Sequence, residues 1–178
     1  MTINPTLKPT YKVIPVDYVA PKIQGNWVDI YQTKNRFVVS QYLNEAELES
    51  GVVICATGAH PIHGYTRVSK PVAAGSKIVG ISQTNPTLLM VWDEALTCFK
   101  FPVNSNVNAA TGGDLYMHTE VPVEVGDKVY FRHTVDGAKN RIGAIANAAG
   151  VGLELLPNAI FAERMTAPGK VAVSLLNV

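Results

Sequence analysis

The residues best equipped for chemistry are His60 and His63, three apart in His60-Pro61-Ile62-His63, with Cys55 five residues upstream. Imidazole and thiolate are zinc ligands, but a zinc centre needs three or four of them converging tetrahedrally, usually from two separate pairs. No second pair lies nearby, since His118 and His133 are far along the chain. His60 and His63 are therefore the metal candidates, and the spacing predicts no metal and no cofactor; Gly58, Pro61 and Gly64 read simply as a turn. Nucleophilic catalysis has no better footing. There is no Gly-x-Ser-x-Gly elbow, and neither Cys55 nor Cys98 opens a helix that would hold a thiolate. Both cysteines sit in apolar strings, 52–56 and 96–101, where a thiol serves as a small buried hydrophobe. Gly75-Ser76-Lys77 reverses the Lys–Ser order of a phosphate loop and lacks its upstream glycine, so it reads as a turn into a strand at Ile78. Asp93 and Glu94 are adjacent, hence on opposite faces of a strand, and cannot act as an acid–base pair. No catalytic residue emerges, and the chain is expected not to be an enzyme.

Composition bounds the partners. Fifteen Lys and Arg balance fourteen Asp and Glu over 178 residues, with the cations evenly spread, which disfavours direct nucleic-acid binding. A hydrophobic content of 47% at near-zero net charge excludes disorder for the bulk of the chain. No segment approaches the ~18 apolar residues of a membrane helix, and the first twenty residues lack the pattern of a secretory signal. The expectation is a soluble protein that stays where it is made, with its two cysteines reduced.

The elements that would position any site are strands. Residues 1–25 form a separate zone in which Pro5, Pro9, Pro15 and Pro21 enforce extended backbone. This zone reads as an N-terminal arm, and Tyr11, Val13, Ile14, Val16, Tyr18 and Val19 are apolar enough to lie on a surface, its own or a neighbour's. Residues 26–178 read as a single β-rich domain of short runs between turn residues. The strongest runs are 37–40, 52–57, 77–81, 88–92, 115–119, 128–135, 160–164 and 171–176. In 128–135, Val129, Phe131, His133 and Val135 alternate with Tyr130, Arg132 and Thr134, as in a half-buried antiparallel strand. Asp136-Gly137 marks a hairpin, and Pro168-Gly169 separates the last two strands. Asn44 and Glu47 resemble a capping box opening a short helix over 45–50, and 144–149 reads as a second helical turn. Residues 104–113, with Asn104, Asn106 and Asn108, carry almost no core-forming side chain and read as a surface loop. The fold class is all-β, an antiparallel barrel or sandwich with one or two short helices and the extended arm.

Gly126-Asp127-Lys128-Val129-Tyr130-Phe131-Arg132 resembles a turn and strand of the structural cement, or capsid decoration, proteins of tailed bacteriophages. Gly143-Ala144 and the Ala-rich 145–150, then Leu156-Pro157-Asn158-Ala159-Ile160-Phe161, continue the resemblance, and the closing strand 169–177 has the "Gly-x-Ala-x-Val-x-Leu-Asn" character of those chains. Weaker echoes occur at 49–53 and 75–81. The resemblance implies a non-enzymatic virion protein that binds the outer surface of an icosahedral head at capsomer junctions. Its partners would be the major capsid protein and itself, as a homotrimer or a dimer. It would be made in the host bacterial cytoplasm. Two other readings stand beside it. One is a virion surface or tail adhesin stacking host glycans on Trp27, Tyr31, Tyr42 or Tyr65. The other is a small metal-dependent enzyme using His60 and His63.

Overall fold

The computed structural model describes Lys22, Gln24, Gly25 and residues 37–60, 64–85, 87–137, 139 and 141–176. Twelve strands follow in chain order: β1 (Phe37–Asn44), β2 (Leu48–Glu49), β3 (Val53–Ala59), β4 (Thr66–Ser69), β5 (Ile78–Gln83), β6 (Val91–Asp93), β7 (Cys98–Phe101), β8 (Asn106–Thr119), β9 (Lys128–Arg132), β10 (Ile145–Ala146), β11 (Leu153–Phe161) and β12 (Gly169–Leu176). Nine of them share one sheet that closes on itself twice. One ring runs β8-β1-β4-β3-β5 and back to β8; the other runs β8-β10-β9-β11-β12 and back to β8. Closure removes free sheet edges, the usual liability of β structure. The remaining strands form a small antiparallel sheet in the order β2-β7-β6.

The fourteen-residue β8 is long enough to serve both rings. Its first half pairs with β1 (Val38 with Ala110, Leu43 with Asn106) and with β5 (Ile81 with Ala110, Gln83 with Asn108). Its second half pairs antiparallel with β12 from Gly112–Leu176 to Thr119–Gly169. The core divides accordingly. Leu48, Val52, Ile54, Val68, Phe101, Val107 and Ala109 pack together in one cluster. A larger cluster gathers Leu115, Met117, Val129, Phe131, Phe161 and Val173. Adjacent residues of β3 go to different clusters, Ile54 to the first and Val53 and Cys55 to the second. Strict alternation along an extended chain buries both faces of that strand.

The all-β class is what the structure has, but without helices among the described residues. Asn44 does not cap a helix. Its buried side chain donates to the carbonyls of Ala46 (2.9 Å), Phe101 (3.1 Å) and Pro102 (2.6 Å) and accepts from the Ser105 amide (2.7 Å), and Glu47 pairs with Lys100 at 2.8 Å. Those bonds tie two loops together, so 45–50 becomes a turn into β2. The second expected helix, 144–149, holds β10 instead, where the small side chains of Ala144 and Ala146 are buried beside β9.

The expected loop 104–113 is also corrected. Asn104 sits in the preceding turn with φ 60°, but Asn106 and Asn108 belong to β8, and Asn108 is buried. Small residues are needed there because β8 is packed on both faces: Ala109 joins one core cluster and Ala110 the other. Gly80 of β5 crosses so close that a Cβ on it would lie 2.7 Å from the Ala110 carbonyl oxygen and 3.0 Å from the Ala109 Cβ, at φ +143°. Gly80→Ala should therefore destabilise the fold by about 3 kcal/mol, overpacking added to backbone strain. Gly75→Ala, at φ +74° but facing open space, should cost about 1 kcal/mol. Urea midpoints of the two variants check the difference.

Candidate functional site

The motif that carries the resemblance is a structural device. Gly126 turns the chain at φ +88°, and the Asp127 carboxylate accepts from the Asn147 side-chain amide (2.8 Å) and the Glu124 backbone amide (3.0 Å). These two bonds, the Asn147 one first, hold the Asp127 carboxyl below the usual carboxylate range. Val129 and Phe131 then enter the core, as their alternation requires. Arg132 does not stay on the solvent face that alternation assigned it. It is 1% exposed, and its guanidinium grips Glu120 with Nε at 2.8 and 2.9 Å and Nη2 at 2.8 Å, while Nη1 donates to the carbonyls of Thr134 and Val151. β9 ends at this residue, and Val135 is exposed beyond it. Asp136 and Lys139 exchange backbone bonds of 3.1 and 2.9 Å, the tight turn that Asp136-Gly137 signalled.

On the face of β8 opposite Leu115 and Met117, the alternate residues Tyr116 and His118 point the other way, and Glu120 follows directly after the strand. The antiparallel register sets Lys170 of β12 beside His118 and Ala172 beside Tyr116. The segment Lys22 to Gly25 closes one side: the Gly25 amide donates to the Tyr116 carbonyl (2.7 Å), and the Lys22 ammonium lies 5.8 Å from the Tyr116 ring centroid and pairs with Glu163. The turn from β6 to β7 closes another side, with the Thr97 carbonyl accepting from Lys170 at 2.6 Å. Arg141 donates to the Gln24 side chain at 2.7 Å and to Glu49 at 3.2 Å, and Glu49 also holds Lys70 at 2.5 Å. Between these walls lies a groove of about 780 Å³.

The groove is basic. Lys22, Lys139, Arg141 and Lys170 line it, with Glu120 as its carboxylate and His118 between them. Burial, then the Arg141 charge, pushes the His118 imidazole down to about 4, with Lys170 adding to the effect. Burial also lowers the Lys170 ammonium, and Arg141 repels it further.

Outside the groove, the other candidate groups are dispersed or buried among the described residues. Cys55 and Cys98 are buried and free. Burial, reinforced by Glu154, pushes the Cys55 thiol up to about 11, and burial raises Cys98 as well, which opposes thiolate formation. His63 lies outside the described residues, as do Tyr11, Val13, Ile14, Val16, Tyr18, Val19, Trp27 and Tyr31. Among the described residues, no group of three or more His, Cys, Asp or Glu can hold a metal. Tyr42 packs against the first core cluster and Tyr65 is half exposed on another part of the first ring. The groove has no local sequence signature. Its cations come from three separate stretches, at 22, at 139 and 141, and at 170, and only the i, i+2 spacing of Tyr116, His118 and Glu120, along β8 and just past its end, hints at a shared face.

A family model described as "Structural cement protein (E217 gp24/Pam3 gp6)", a phage cement family, matches residues 27–177. The chain belongs to that family. A chain of a solved structure from a myovirus, titled "The capsid of Myoviridae Phage XM1", has the same fold at TM-score 0.63 and 14% identity, over 93% of this chain and 97% of that one. No curated protein matches. The cement family is a structural one, and the expectation drawn from Gly126 to Arg132 is met at the level of family and fold.

Two predictions follow from the site's charges. Removing one partner of the Arg132–Glu120 pair strands a buried charge, so Arg132→Met or Glu120→Met should each cost about 3–5 kcal/mol. The double change E120M/R132M should cost less than the sum of the two, as a double-mutant cycle in urea will read. His118 titrates lower in the folded chain than in the unfolded one, so the unfolded chain takes up the proton first. It therefore withdraws stability as pH falls from about 6.5 to about 4. H118N should flatten the dependence of the urea midpoint across that window.

Proposed function

We propose that this chain is a non-enzymatic cement protein of a tailed-phage virion, bound to the outer surface of the icosahedral head at capsomer junctions. The observation that carries this reading is the family match over residues 27–177. The partner is the major capsid protein, with further copies of the chain as neighbours in a closed trimer or dimer. Such a clamp works by burying surface on two or more shell subunits at once, so that individually weak contacts add in avidity. The doubly closed sheet suits the task, because a nine-stranded sheet without free edges limits strand-to-strand aggregation among many copies on a shell.

The Pro-spaced arm, residues 2–21, is the part of this reading that reaches outward. It drapes over a neighbouring subunit, where Tyr11, Val13, Ile14, Val16, Tyr18 and Val19 supply apolar contact and an extended backbone is ready to add a strand. Support comes from its root. Gln24 is fully buried, and its carbonyl accepts from the Ser50 hydroxyl at 2.7 Å while the Gly25 carbonyl accepts from the Thr84 amide at 3.0 Å. A segment so held transmits load to the body.

Purified chain mixed with undecorated heads should saturate at hundreds of copies per particle and raise the temperature at which heads release DNA. A chain lacking residues 1–21 should keep its fold and bind heads about tenfold to a hundredfold more weakly. Unchanged affinity would remove the arm from the contact, and a copy number of only a few per particle would favour an adhesin.

A further inference from the structure

We infer that the basic groove between β12, the second half of β8 and the β6–β7 turn receives an acidic segment of the shell partner, with an Asp or Glu side chain reaching Lys170 and Lys139. This rests on the cement reading and names what that reading's partner must offer at one place.

The inference starts from charges left without partners. Of the four cations that line the groove, Lys22 is paired with Glu163 and Arg141 with Glu49. Glu120, the lining carboxylate, is gripped on both oxygens by Arg132 and pairs with neither lysine among the described residues. Lys139 and Lys170 form no ion pair among the described residues. Lys170 is half-buried, bonded to the Thr97 carbonyl and set beside a second cation, Arg141. Holding an ammonium there is unfavourable in the isolated chain, and an anion arriving from outside relieves it. Charges perturbed in this way cluster at sites where ligands bind.

The shape and chemistry of the groove select the kind of anion. Ala95, Leu96, Met165 and Pro168 contribute apolar wall beside the cations. That mixture fits a peptide, which presents carboxylate and aliphatic groups together. A volume of about 780 Å³ accommodates a few side chains and no duplex. The Arg141 fork, the group best shaped for a bidentate phosphate, is already directed at Gln24 and Glu49. What remains are two lysine point charges, and a single carboxylate answers those.

The full chain, labelled with nitrogen-15, would be titrated with the blocked peptide acetyl-Gly-Asp-Leu-Glu-Gly-amide, with its Asn/Gln counterpart and with inorganic phosphate. The acidic peptide should shift the amide resonances of Gly169, Lys170 and Lys139 and raise the His118 titration midpoint. His118 reports because Arg141, Lys170, Glu120 and Glu49 are the charges around it and an added anion changes their balance. The amide peptide should do neither, and K139Q/K170Q, checked for a native spectrum, should abolish both effects. Equal response to the two peptides, or response to phosphate alone, overturns the inference. On undecorated heads, K139Q/K170Q should bind about tenfold more weakly with a shallower salt dependence. Unchanged binding by the variant overturns the inference and leaves the cement reading standing. Failure of the parent chain itself to bind heads removes the cement reading, and the assignment of a shell partner falls with it.

Discussion

β8 belongs to two closed rings at once, and most of what is unusual in this sequence answers to that. A strand with ladders on both sides and packed layers on both faces has no room for large side chains along its first half, and Asn108, Ala109, Ala110, Gly112 and Gly113 are all buried there. The backbone hydrogen bonds of β8 close both barrels, so a defect in its path opens two cores together. Gly80 shows the same constraint from the neighbouring strand, pressed against the Ala110 carbonyl. Burying so much backbone is favourable only when every amide and carbonyl is paired, and the double closure supplies those pairs.

The outer strands were legible because their patterning is local. The runs at 37–40, 52–57, 77–81 and 171–176 lie in or overlap β1, β3, β5 and β12, where β-branched residues alternate or cluster between turn signals. β8 was half legible: Leu115 to Thr119 alternates, while the Asn- and Ala-rich stretch before it has the composition of a loop and the burial of a core strand. Nothing in the local sequence says that small residues are small because two layers meet there. β11 was hidden for another reason. Pro157 and Asn158, with φ 54° at Asn158, break its register with β9 between Leu155 and Ile160, so its period shifts partway along. β2 and β10, two residues each, carry too little pattern to be read, and their helical signals describe short-range chemistry that longer-range bonds override.

The site was less legible than the fold. Arg132 stands out in the motif, yet alternation assigns it to solvent; only Glu120, twelve residues earlier and brought alongside by the sheet, turns it inward. The groove combines Lys22, Lys139, Arg141 and Lys170, spaced over nearly the whole chain. Charge arithmetic over the full sequence averages such a patch away. A formal charge of +1 conceals a local excess that depends on which carboxylates are already committed to other cations.

The crossing of Gly25 and Gly51 has a temporal meaning as well as a spatial one. A Cβ on Gly51 would meet the Gly25 amide nitrogen at 2.5 Å and the Tyr116 carbonyl oxygen at 2.8 Å, so three distant stretches of chain approach one another through their backbones. Ser82 joins them by accepting from the Gly51 amide at 2.6 Å. Contacts between residues so far apart in sequence form only after the intervening loops have closed, with the entropy of closure lost first. Gln24 and Gly25 reach Ser50, Thr84 and Tyr116 only across such long separations, so these contacts weigh on the rate of folding more than on the stability of any one strand.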